Sequence, residues 1–146
     1  MEDLFVTYQP SFDLKKLGFN EPCFGYYVDG ELRGVNLGVE ELGGIKPYYQ
    51  RFGFHTITNS DIDNPNKIVV TSPTFSQCFR WFRENHNLHS TIALISNSDT
   101  ERRYMVMIDY IYPHKAIMEF EEYETYEEAE LECLKKLIEI VKEKNG

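Results

Sequence analysis

Residues 72–89 constrain the fold more than any other segment, because they combine a helix start signal with an apolar stripe and the only tryptophan. Ser72 supplies a capping hydroxyl, and Pro73 suits the first helical position, where a missing N–H costs nothing. Apolar residues then recur at i, i+3, i+4 and i+7, which is typical of an amphipathic helix. This stripe consists of Phe75, Cys78, Phe79 and Phe82. The segment predicts a helix that packs its stripe against a core.

Trp81 lies beside this stripe and is the first candidate for recognition. At about 100° per residue it falls roughly 110° from the stripe's centre, which predicts a position at the rim that is partly exposed unless another element covers it. Arg80 and Arg83 flank it. Because Trp and Arg are enriched at interface hot spots, these three residues form a candidate partner surface. The alternative is that Trp81 packs against the N-terminal hairpin of its own chain.

The C-terminal half predicts an αβββα unit over residues 72–142. Three strand-like runs follow the helix, at residues 91–95, 103–112 and 115–120, and the short turns between them favour antiparallel hairpins. Residues 104–111 are almost all apolar or aromatic, which predicts a central strand covered on both faces. Thr125 and Glu128 form a capping box, so the last helix should begin close to Tyr126.

The N-terminal half is less regular. Residues 11–17 predict a short helix with Ser11 as its cap, and Gly18 suits the left-handed position after the last turn. A hairpin should turn at Asp29-Gly30, so that helix and hairpin together occupy residues 11–35. Residues 36–66 show no steady period, although residues 52–57 favour a strand. Residues 67–71 predict a strand or an extended lead into the next helix.

Length and composition indicate one domain. A chain of 146 residues that is 42% hydrophobic supports one core rather than two. The order of elements predicts an α+β fold, in which helices pack on one face of an antiparallel sheet.

The charge and the cysteine content indicate which cellular compartment and which classes of binding partner suit this chain. With 24 acidic and 15 basic residues, the formal net charge of −9 disfavours direct binding to nucleic acid or to anionic membranes. The chain opens on an acidic segment without a secretory pattern, and no run is long enough to span a membrane. Three cysteines without paired spacing are typical of reduced thiols in a cytosol. We therefore expect a cytoplasmic protein.

No motif anchors catalysis. His86 and His89 stand three residues apart, but zinc needs three or four ligands and nothing nearby completes the set. No nucleophile elbow or phosphate-binding loop is present. We expect a protein that is not an enzyme, with no catalytic, cofactor-binding or metal-binding residues.

The most acidic segment contains eight glutamates between residues 119 and 132. One interpretation is a surface that imitates nucleic acid or binds a metal. The other is a solvated strand edge, followed by a helix start whose dipole favours negative charge. The candidate acidic surface consists of Glu119, Glu121, Glu122, Glu124, Glu127 and Glu128.

Three segments carry a family resemblance: PTFSQCFRWFRENHNL at residues 73–88, TYEEAELECLKKLIEIVKEK at 125–144 and LKKLGFNEPCFGYY at 14–27. They resemble small uncharacterised proteins of phages and prophages of gut Bacteroidetes. The resemblance implies a mobile-element origin and expression inside a bacterial host, and it supplies no site residues.

The predicted helix, three strands and helix of residues 72–141 are also similar in connectivity to double-stranded RNA-binding domains. Those domains dock on phosphates through basic residues at the start of the second helix. Glu127, Glu128 and Glu130 occupy that place here, so this likeness implies a shared topology only.

The leading hypothesis is a non-enzymatic phage accessory or interaction protein that binds a protein partner in the host cytoplasm. One alternative is an acidic anti-defence protein that imitates nucleic acid, and another is a virion or assembly component. Assembly into a homo-oligomer is a further partner hypothesis.

Overall fold

A computed structural model describes five parts of the chain, and for residues 115–120 it describes the backbone alone. The described parts are residues 4–33, 56–62, 65–95, 100–110 and 115–146. The chain divides into two compact units, Met1–Thr74 and Phe75–Gly146. Helices and antiparallel sheets make both units α+β, which confirms the predicted fold class. A single domain over the whole chain stays a prediction.

The first unit holds helix α1 and a three-stranded antiparallel sheet. The helix is Tyr8–Lys16, and the strands are β1 (Gly25–Val28), β2 (Glu31–Arg33) and β3 (Val69–Ser72), in the order β2-β1-β3. The predicted hairpin is confirmed, because Asp29 and Gly30 turn it with φ of 48° and 87°. The strand predicted at residues 67–71 is confirmed as β3. The strand predicted at residues 52–57 lies mostly outside the described residues.

The start of α1 differs from the prediction. The helix begins three residues before Ser11, and its N-cap is Thr7. Ser11 is buried inside the helix, where its hydroxyl donates to the Val6 carbonyl at 3.2 Å. Gly18 takes the left-handed conformation as predicted, with φ of 93°. Its N–H donates to Lys15, and the next N–H, of Phe19, donates to Leu14, which closes the helix end.

Both faces of this sheet are covered, which explains why β1 and β3 are buried along their whole length. On one face a core cluster packs, made of Tyr26, Val28, Ile57 and Val69 with Ile62 against it. On the other, the ring of Tyr27 meets Tyr8 of α1 edge-on at 5.5 Å. Alternate residues of one strand therefore enter two apolar layers.

The second unit holds two helices and a three-stranded antiparallel sheet. Its elements in chain order are α2 (Phe75–His86), β4 (Leu88–Ile95), β5 (Arg103–Tyr110), β6 (Lys115–Tyr123) and α3 (Tyr126–Asn145). The strand order β4-β5-β6 makes β5 the central strand, as predicted. The turns predicted at residues 97–99 and 112–114 lie outside the described residues.

Helix α2 begins two residues later than the sequence predicts. Ser72 is the last residue of β3, and its buried hydroxyl donates to the Val6 carbonyl at 2.8 Å. The Pro73 carbonyl accepts from the Val6 N–H at 2.9 Å, so this backbone belongs to the first unit. The helix begins after Thr74, and Thr74 and Gln77 occupy the positions of a Thr-x-x-Gln capping pair.

The prediction of a partly exposed Trp81 is wrong, because only 6% of the residue is exposed. Its ring meets the rings of Phe82 and His86 edge-on, at 5.0 and 4.7 Å. Phe79, predicted within the stripe, is only half-buried. The buried arc of α2 is thus centred on Cys78 and extends towards Trp81.

The last helix is the most regular element. It begins at Tyr126 as predicted, and the Thr125 hydroxyl accepts from the Glu128 N–H at 3.1 Å. Its buried side comprises Ala129, Cys133, Leu134, Leu137, Ile138 and Val141. Ile140, predicted on this side, is half-buried instead. Both α2 and α3 pack on the sheet and on each other.

Candidate functional site

Among the described residues, only one face of the central strand β5 is fully buried, so the prediction that both faces are covered is wrong for the other face. Val106 and Ile108 are fully buried, whereas Met105 and Met107, which alternate with them, are partly exposed and Asp109 is exposed. Successive side chains of a strand point to opposite faces. The helices of this unit therefore pack on the face of Val106 and Ile108, and the other face lacks a helix among the described residues.

The register defines this second face, which we name the open face. Residues directly opposite in an antiparallel pair share one face, so the partners of β5 in β4 belong to it. The open face comprises His89, Thr91, Ala93, Ile95, Arg103, Met105, Met107 and Asp109. Its centre is apolar and its ends are polar. Methionine is flexible and polarizable, and it adapts to irregular partner surfaces.

Acidic side chains border the open face. Glu122 pairs with Met105 in the ladder, and Glu124 contacts Arg103 at 3.2 Å. Further exposed carboxylates follow along the chain, in β6 and in the first turn of α3, which packs on the opposite face of the sheet. We name the whole set the acidic rim: Glu121, Glu122, Glu124, Glu127 and Glu128. The side chain of Glu119, also predicted here, is outside the described set. Burial, and then the charge of Glu127, raise the pKa of Glu130 beside this rim.

The candidate partner surface of Arg80, Trp81 and Arg83 does not include an exposed tryptophan in the structure. Arg80 and Arg83 are exposed on α2, as expected for its polar side. Trp81 is buried against Phe82 and His86 and cannot offer its ring to a partner. The two arginines alone carry no recognition argument, because exposed basic residues are ordinary on a helix surface.

Sequence reasoning missed the open face because methionine is apolar on either side of a strand. Met105 and Met107 extended the apolar run of β5 and concealed its alternation. The one available signal was Asp109, a charged residue at the same parity as both methionines. It belongs to the face that solvent reaches.

Three hydroxyls converge on one carbonyl in the first unit. Those of Ser11, Tyr27 and Ser72 donate to the Val6 oxygen at 3.2, 3.0 and 2.8 Å. All three residues are buried. A carbonyl oxygen does not remove the proton of a hydroxyl, so this cluster fastens the N-terminal segment and does not activate a nucleophile.

Burial shifts the pKa values of two cysteines and of one histidine towards their uncharged forms, which favours a role in packing. All three cysteines are buried, as predicted, and burial raises the pKa of Cys23 and of Cys133 to about 12. These two thiols are protonated at neutral pH and are poor nucleophiles. Burial, and then the positive charge of Lys144, lower the pKa of His86, whose Nε2 atom is buried without a hydrogen-bond partner.

No family model, curated protein or solved structure is significantly similar to this chain. In the parts of the chain that the structure describes, His, Cys, Asp and Glu form no group of three or more that could hold a metal. Across the same residues, no helix is both long and apolar enough to cross a membrane. The geometry of the second unit therefore supplies the functional argument.

Proposed function

We propose that this protein is a non-enzymatic accessory protein of phage or prophage type, which binds a protein partner in the cytoplasm of the bacterial host through the open face. The observation that carries the proposal is the apolar centre of that face, where Met105 and Met107 lie partly exposed on the central strand. The phage and host assignment rests on the sequence resemblance of residues 14–27, 73–88 and 125–144.

The chemistry of the site selects the kind of partner. Specific interfaces combine a desolvated apolar centre with a polar rim, and opposite charges across the rim steer association. Here the rim is acidic, and the whole chain carries a formal charge of −9. The partner that fits presents apolar side chains surrounded by lysine and arginine.

Met107→Lys tests this proposal, because the change removes apolar area and brings a positive charge towards a basic partner. The matched control is Ser76→Lys, which adds the same charge at an exposed position of α2. Tagged wild type and both variants are expressed during infection, and the captured proteins are identified by mass spectrometry. We expect one partner to be retained by wild type and by Ser76→Lys, and reduced about tenfold or more with Met107→Lys.

Circular dichroism must show that Met107→Lys is folded. A partner recovered equally from all three proteins would reject the open face as the binding site. A wild type that captures no specific protein would reject the interaction hypothesis itself.

The second candidate is an acidic anti-defence protein that occupies a basic nucleic-acid site of a host protein. The exposure of all five rim glutamates favours it. Glutamine at Glu121, Glu122, Glu124 and Glu127 should then abolish binding, while Met107→Lys leaves it intact. Binding that survives the four glutamine substitutions and is lost with Met107→Lys supports the apolar contact at the open face instead. A role in the virion is tested separately by mass spectrometry of purified particles.

A further inference from the structure

Among the described residues, strand β4 lies at the edge of its sheet and pairs with another strand on one side only. It is eight residues long and pairs with β5 along one edge. On its other edge, the described residues provide no backbone hydrogen bond to β4. Such a row of unpaired N–H and C=O groups is a template for another strand, and most proteins protect it.

The two edges of this sheet differ in their protection. Edge strand β6 carries Lys115, Glu119, Glu121 and Glu122. A register shift also interrupts its ladder opposite Met105 and Met107. Both features discourage pairing with another strand. β4 contains no Asp, Glu, Lys, Arg or Pro, so its edge has neither charge nor proline to block a partner.

An exposed leucine marks the same edge. Leu94 is 58% exposed, although it lies on the sheet face that also contains Leu88 and Ile92. Most of this side chain is in water. A strand added along the edge of β4 would place its own side chains beside Leu94 and cover it. Complete burial of a leucine side chain is favourable by about 1.5–3 kcal/mol.

We propose that β4 pairs antiparallel with β4 of a second copy of this chain, about a twofold axis at Thr91. Antiparallel pairing in one sheet requires the axis to be perpendicular to the sheet, so residues of the same face become neighbours. An axis at Thr91 places Leu94 opposite Leu88 of the second copy. An axis at Ile92 would instead place Leu94 opposite Ser90. The first register therefore places the exposed Leu94 beside a leucine, itself buried in its own copy, and not beside a hydroxyl.

The symmetry explains why assembly stops at two copies. A twofold interface uses the same strand of both chains and leaves none of that strand free. The outer edges of the resulting six-stranded sheet are the two β6 strands, which carry the charges and the register shift. Two chains of charge −9 repel each other, and β4 is the strand of this sheet that brings no formal charge into the contact.

Sedimentation velocity over a concentration series tests the dimer. We expect wild type to associate to a dimer, and Leu94→Lys or Thr91→Lys to weaken association at least about tenfold. Ser76→Lys, the charge-matched control on α2, should dimerise like wild type. Both edge positions are exposed, so both variants should stay folded by circular dichroism. A wild type that is monomeric at every concentration would overturn the proposal.

A cysteine at Thr91 tests the register. Opposed residues of antiparallel strands have Cα atoms about 4.5 or 5.5 Å apart, within the range for a disulfide. We expect Thr91→Cys to form a covalent dimer under mild oxidation and Ser76→Cys to remain monomeric on a denaturing gel. The three native cysteines are buried and should not contribute. Equal crosslinking of both variants would contradict the Thr91 axis.

The dimer and the protein partner fail independently. Met107→Lys alters the open face beside Thr91, the residue at the proposed axis, so Leu94→Lys, on the opposite face of the sheet, is the variant that separates the two associations: it should lose the dimer and keep the partner. Leu94→Lys changes the edge and keeps Met105 and Met107 unaltered.

Discussion

At the scale of single residues, Asn59 joins two backbone segments that are distant in sequence. Its buried side chain donates from Nδ2 to the Phe19 carbonyl at 2.8 Å and accepts at Oδ1 from the Thr71 N–H at 3.0 Å. Asn20 forms a similar pair of bonds with the Ser60 hydroxyl and N–H, at 3.0 and 2.7 Å, but at the surface. The two asparagines therefore differ mainly in their access to water.

We predict that Asn59→Ala lowers the free energy of unfolding of the first unit by roughly 2–4 kcal/mol, because it leaves a buried N–H and a carbonyl without partners. Asn20→Ala should lower it by less than about 1 kcal/mol, because water replaces the lost bonds. Urea denaturation followed by circular dichroism measures both. Similar losses for the two variants would show that burial does not control the effect.

At this scale the sequence could not identify Asn59, because it begins a polar run that is typical of a loop. Its burial depends on contacts with Phe19 and Thr71, which lie far away in sequence or on another element. The same reason applies to Trp81. Helical periodicity gives the width of a buried arc, but the elements that pack against a helix determine where the arc is centred.

At the scale of elements, the threonine caps of α1 and α3 differ in their hydrogen bonding. The Thr125 hydroxyl accepts from the Glu128 N–H at the start of α3, whereas Thr7 caps α1 without a side-chain hydrogen bond. Both threonines are exposed. They form a natural comparison of a bonded and an unbonded cap.

We predict that Thr125→Ala destabilises the second unit by about 1 kcal/mol, the usual contribution of a capping hydroxyl. Thr125→Ser should restore most of this stability. Thr7→Ala should change stability by less than about 0.5 kcal/mol, as for an ordinary surface substitution. Amide hydrogen exchange within the first turns of α3 and α1 separates the two effects. Loss of protection in α1 after Thr7→Ala would contradict this assignment.

Elements were predictable where local signals agreed. Asp29-Gly30 and Thr125 specify a turn and a helix start with few alternatives, and both occur as predicted. The starts of α1 and α2 were misplaced because Ser11 and Ser72 resemble caps in sequence. In the fold both hydroxyls bind the Val6 carbonyl. This acceptor is five residues from Ser11 but 66 residues from Ser72, so a long-range contact outweighed the capping preference at Ser72 only.

At the scale of the molecule, the open face and the β4 edge lie on the same sheet and would act together. Pairing of two copies through β4 joins their sheets, with the helices of both on one side. The open faces then adjoin on the other side, which doubles the apolar surface available to a partner. The sequence did not reveal the open face, because methionine is apolar on either face of a strand. It did not reveal the β4 edge either, because β4 is a short uncharged run that could equally be a central strand.

The two proposed associations should respond to salt in opposite directions. The dimer joins two chains of charge −9, so salt should strengthen it by screening their repulsion. Binding of a basic partner to the acidic rim is attractive and should weaken under the same screening. From about 0.01 to 0.15 M ionic strength the screening length falls from about 30 to 8 Å. Surface charges of two associated chains therefore interact at the lower salt concentration and are largely screened at the higher one.

Sedimentation velocity for the dimer and titration calorimetry for the partner measure both trends. The variant with glutamine at Glu121, Glu122, Glu124 and Glu127 is the control, because it removes four negative charges from each chain. We expect it to dimerise more tightly than wild type at low salt and to show a shallower salt dependence in both assays. Dimerisation that weakens with salt would mean that opposite charges hold the two copies together. The uncharged β4 strand would then not be the contact.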